Sequence, residues 1–227
     1  MTPAASPADA QRFRAPQAAA VAGIVFSVLL VASILLVRLS VPADPLELGS
    51  WLHGRASTIA LGMNLVPFAG IAFLWFIGVL RDRLGDREDR FFATVFLGSG
   101  LLFLAMLFFS AAVGGGLVLV YAADPGALTG STTFTFARAI TYEILNIYAI
   151  KMAGVFMIVT STLSLRTGFL ARWVAFCGFA VALVLLLLGS RFVDWILLVF
   201  PLWVLLVSLY ILVDNLRARR AGSAPLA

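Results

Sequence analysis

The chain has 227 residues, of which 62% are hydrophobic and only 12% charged, and its mean hydropathy is +1.06. Soluble domains carry about 25% charged residues, so this composition excludes an ordinary water-soluble fold and points to an integral membrane protein. Despite a net charge of +5 and a pI near 10.1, nucleic acid is not the expected partner, because the arginines fall in short segments between apolar runs.

The single cysteine, Cys177, and single histidine, His53, exclude a structural zinc site, a CxxC redox pair, a bis-histidine haem and a HExxH protease. Each needs more ligands than the chain owns. No cofactor and no metal are expected. Among the 16 basic residues Lys151 is the sole lysine. With abundant Ala, Leu, Val and Gly, this arginine bias is typical of GC-rich bacterial genomes and favours a bacterial plasma membrane.

A hydrocarbon core of about 30 Å takes about 20 apolar residues per helix. Six such runs give an all-α, polytopic reading with a six-helix transmembrane domain over 17–214. Residues 1–16 are expected to be a flexible tail. The first run, 17–37, follows Arg12 and Arg14 but is longer than a signal-peptide core and lacks a small-x-small cleavage pattern after it, so it is read as a retained span. The second, 57–80, holds Gly62, Asn64, Pro67 and Gly70, and the proline predicts a kink near 63–67. The segment RDRLGDREDR at 81–90 mixes charges of both signs and reads as a solvated inner turn.

The third run, 91–113, continues apolar to 123, roughly 50 Å of helix. Gly114, Gly115 and Gly116 are expected to break it before a polar loop at 124–137. The fourth run is 139–163. After it comes the stretch Leu165, Arg166, Thr167, Gly168, Phe169, Leu170, Ala171, Arg172, Trp173. This stretch is similar to an inner turn of many uncharacterised multi-span bacterial membrane proteins, in which a Thr-Gly pair is followed by Arg-Trp. The resemblance implies topology and location only. The fifth run is 171–189 and the sixth 195–213, with 215–227 a basic tail. The first three runs do not repeat in the last three, so no inverted-repeat transporter is expected.

With the N-terminus inside, eleven arginines fall on cytoplasmic segments and four (Arg38, Arg55, Arg138, Arg191) on outer ones. The positive-inside bias therefore predicts that both termini are cytoplasmic.

Charge inside hydrocarbon costs about 2.5 to 3.5 kcal/mol per residue at a helix centre, which makes such residues the first candidates for function. The fourth run holds two, Glu143 and Lys151, with Asn146 between them and Tyr142 and Tyr148 beside them. Eight residues of helix separate Glu143 from Lys151 by about 12 Å, so each needs a partner elsewhere. Asn64 lies at the depth of Asn146, and a polar pocket of Glu143, Lys151, Asn146, Asn64 and Tyr142 between the second and fourth spans is expected. Ahead of that pocket stands the reading that these groups only tie helices together, Lys151 through a backbone carbonyl. Catalytic patterns fail: Gly98-Ser99-Gly100 lacks the preceding glycine and any histidine base within a span, and Ser190, Arg191 and Asp194 lack a histidine altogether. His53 reads as a solvated loop residue.

Two functions follow as expectations. The first is a non-catalytic accessory protein or subunit packed against other membrane proteins or itself, for which Gly23/Ser27 and Ala171/Ala175 allow close helix approach. The second is a small transporter or channel with an outward-opening polar pocket around Glu143 and Lys151.

Overall fold

A computed structural model describes residues 7–42, 44, 46–47, 49–84, 90–187 and 195–222. Among these residues there is no strand. The elements are α1 (Pro7–Arg38), a 3-10 turn (Gly49–Leu52), α2 (Ala56–Leu84), α3 (Arg90–Ala123) and a single-turn helix α4 (Pro125–Leu128). After α5 (Thr132–Glu143) come a π-helical segment (Ile144–Ala149), α6 (Ile150–Thr167), α7 (Arg172–Leu187), a second 3-10 turn (Ile196–Leu198) and α8 (Val199–Gly222).

Among the described residues, five helical stretches are long and apolar enough to cross a membrane: Ala20–Arg38, Ala56–Arg81, Phe91–Ala123, Thr132–Thr167 and Ile196–Arg217. Helix α7, the expected fifth span, is apolar, and 16 of its residues, Arg172–Leu187, are described. The expected boundaries shift in physically intelligible ways. Residues 7–16, expected as tail, extend α1, and 215–222 extend α8. Residues 85–89 of the mixed-charge turn, 188–194, and the outer tail residues 1–6 and 223–227 lie outside the described set. Pro67 sits, exposed, inside a continuous α2.

The break expected at Gly114–Gly116 does not occur. Helix α3 runs through all three glycines to Ala123, because in lipid an interrupted helix would leave backbone groups unsatisfied, whereas continuing it satisfies them. Of the three, Gly114 serves packing instead. A Cβ on Gly114 would stand 2.8 Å from Met63 Cε of α2, while Gly115 and Gly116 face open space. The expected loop at 124–137 is also largely helical. Ser131 caps α5 by accepting the Phe134 amide at 3.1 Å.

Helix α1 packs between α2 and α8, and α6 between α3 and α7. Small residues make this possible: a Cβ on Gly23 would run into the Ser208 hydroxyl of α8, and one on Gly178 of α7 into the Ser161 hydroxyl of α6. The centre is aromatic. Phe73 meets Phe26 at 4.6 Å, Phe156 at 5.3 Å, Phe103 at 5.5 Å and Phe200 at 5.7 Å between ring centroids, which joins α2 to α1, α6, α3 and α8 through tilted and edge contacts. The Thr167–Gly168 turn ends α6 with Gly168 at φ +72°, its amide donating to the Ser164 carbonyl at 2.8 Å, an αL cap for which glycine is suited.

Candidate functional site

The fourth span is a single run of 36 residues in which the π segment interrupts the α-helix. Each π turn closes its hydrogen bond one residue later than an α turn. A face projected at 100° per residue from Glu143 therefore loses phase before it reaches Lys151, and the expected polar pocket is not assembled.

Lys151 is half-buried, and its Nζ donates to the main-chain carbonyls of Leu186 and, at 3.4 Å, Leu185. Both lie near the end of the described part of α7, so the ammonium ties α6 to α7 through main-chain carbonyls. Asn64 is exposed on α2, facing away from the bundle. Asn146 is 3% exposed; its Nδ2 donates to the Tyr142 carbonyl at 2.8 Å, and its Oδ1 accepts Nη2 of Arg38 at 3.0 Å. Glu143 is half-buried. Of the five expected site residues, then, the structure brings Tyr142 and Asn146 together and leaves Lys151 and Asn64 elsewhere.

Two arginines that the sequence offers only as span boundaries take the central places. Arg138, on α5, is 7% exposed. It donates to the carbonyls of Pro42 (2.9 Å), Asp44 (2.5 Å) and Glu47 (2.5 Å) and lies over the Trp51 ring at 4.9 Å from its centroid. It thereby fastens the connection between α1 and α2 onto the fourth span. Arg38 closes α1. Among the described residues its guanidinium meets Asn146 alone and no carboxylate. No sequence signal marks either role, because the partners lie 91 to 108 residues away.

Three neighbouring cavities share the walls Val37 and Thr141. One, of about 100 Å³, reaches from Arg38 and Ser33 inward to Phe103, Leu185 and Phe200. The next, also about 100 Å³, lies among Arg38, Arg138, Tyr142 and Asn146. The third, about 80 Å³, is bounded by Trp51, Met63, Phe134 and Arg138. Their walls are mainly apolar, so the site offers hydrocarbon contact with guanidinium groups at one end. Among the described residues no cluster of His, Cys, Asp or Glu could hold a metal ion.

The five apolar helices of spanning length and the all-helical architecture define a multi-pass membrane protein. Comparison with known protein families, curated proteins and solved structures finds no match to this chain.

Proposed function

We propose that the protein is a non-catalytic component of the bacterial plasma membrane, a small subunit or accessory protein with six spans and both termini cytoplasmic, associating with other membrane subunits or with a second copy. The carrying observation is the Lys151 ammonium bound to the carbonyls of Leu185 and Leu186. The most costly charge of the fourth span is committed to holding α6 against α7, as interhelical polar ties in bilayers are. Helix α7, with 16 described residues, is counted as a span as well, giving six in all, because the even count agrees with the arginine distribution.

Native co-purification followed by mass spectrometry tests this reading. Recovery of stoichiometric membrane partners or a stable homo-oligomer is expected, and a lone monomer under mild solubilisation counts against it. The second reading, a small transporter or channel, draws on the cavities beside Arg38, Tyr142 and Asn146. In that case Asn146→Ala would abolish flux in reconstituted vesicles, a larger loss than its destabilisation of about 1 to 3 kcal/mol accounts for.

A further inference from the structure

The cavity that runs inward from Arg38 has an unusual distribution of polar groups. Its hydroxyls are committed to backbone: Ser33 Oγ donates to the Gly62 carbonyl at 2.7 Å, Ser110 Oγ to that of Thr141 at 3.2 Å, and Thr141 Oγ1 to that of Ala137 at 2.8 Å. Such bonds satisfy the hydroxyls and leave the walls effectively apolar. Arg38 differs. A guanidinium carries five N–H donors, and among the described residues one of them is used, by Asn146. The charge is permanent and lines two cavities at once.

A guanidinium at the edge of an apolar hollow is stabilised by an anion, which it binds through two parallel hydrogen bonds when carboxylate or phosphate oxygens are offered. The walls beyond it, including Phe103, Leu107 and Phe200, reject anything polar. One ligand chemistry satisfies both ends. We propose that this is a binding site for a single-chain anionic amphiphile, with its carboxylate or phosphate head on Arg38 and its alkyl tail in the cavity. At about 100 Å³, less than the roughly 150 Å³ apolar cavity that holds benzene, the hollow takes the head-proximal part of one alkyl chain and not a two-chain lipid. The tail gains little by leaving bilayer for protein, since lipid is as apolar as leucine. Selectivity therefore rests on the head group. This site stands independently of whether the chain is an accessory subunit or a carrier.

The experiment uses the full chain in nanodiscs and equilibrium dialysis of radiolabelled ligands, corrected for uptake by protein-free nanodiscs. Octanoate and octyl phosphate are expected to bind saturably at about one per chain. Octanol, which lacks the charge, and acetate and inorganic phosphate, which lack the tail, are expected to bind at least tenfold more weakly. Arg38→Gln is expected to lose octanoate binding by tenfold or more. Ala111→Phe, which fills the cavity wall and leaves Arg38 in place, is expected to do the same. Equal binding of octanol and octanoate by the wild-type protein overturns the proposal, as does acetate or inorganic phosphate matching its alkylated counterpart. Unchanged octanoate binding by a folded Arg38→Gln protein also overturns it; should that variant not fold, the wild-type ligand series and Ala111→Phe decide.

Discussion

Lys151 illustrates how a bilayer changes the worth of one side chain. At a soluble surface an ammonium beside two carbonyls would exchange them for water at little cost, but within hydrocarbon each lost bond leaves a donor or acceptor with nothing to replace it. Lys151→Leu is therefore expected to destabilise the protein by about 1 to 3 kcal/mol, read as a lower melting temperature in detergent. A variant that melts with the wild type would show that the tie to Leu185 and Leu186 contributes nothing. Arg138 gathers its carbonyls from a single connection, that between α1 and α2. Arg138→Gln should cost about 1.5 to 3 kcal/mol and render residues 42–49 markedly more sensitive to limited proteolysis. The charges of the fourth span were legible in the sequence as residues needing partners. Which partners they take was not, because Lys151 meets Leu186 across 35 positions and Arg38 meets Asn146 across 108, separations that periodicity does not reach.

At the level of the helix, apolar run length located the five helical stretches of spanning length among the described residues, since hydrocarbon thickness is a constraint that composition expresses directly. Glycine was harder to read. Its backbone freedom makes three in a row resemble a hinge, yet a missing side chain serves equally well to admit a neighbour. Gly114 and Gly115 separate the two uses: the first abuts Met63, the second faces open space. Gly114→Leu should destabilise the fold by about 1 to 3 kcal/mol through overpacking, whereas Gly115→Ala should be neutral or stabilise it by about 0.5 to 1 kcal/mol. Thermal unfolding of the pair checks this, and equal behaviour would mean that the α2–α3 contact is not what selects glycine. The π segment was illegible for a different reason. It is a hydrogen-bond register shift with no composition of its own, and it altered the helix phase on which the expected pocket depended.

Across the whole molecule, the distribution of arginines predicts that both ends share one side of the membrane. Reporter fusions at residues 1 and 227 should give the cytoplasmic signal, and insertions in the 39–55 connection the opposite one. An odd number of crossings would reverse one terminus and leave α7 (Arg172–Leu187) as a helix that does not traverse the bilayer.

The packing of α1 between α2 and α8 bears on how the protein is made. The ribosome releases the first helix long before the eighth, so the side of α1 that carries Gly23 meets Phe76 of α2 early but lacks its second mate, Ser208 of α8, until α8 has been made. During that interval it must be shielded by lipid or by the insertion machinery, and the bundle locks only when its two ends meet. A chain ending at residue 195 should accordingly insert yet be cleared rapidly by membrane proteases. Supplying residues 195–227 as a separate polypeptide should lengthen its half-life in a pulse-chase measurement.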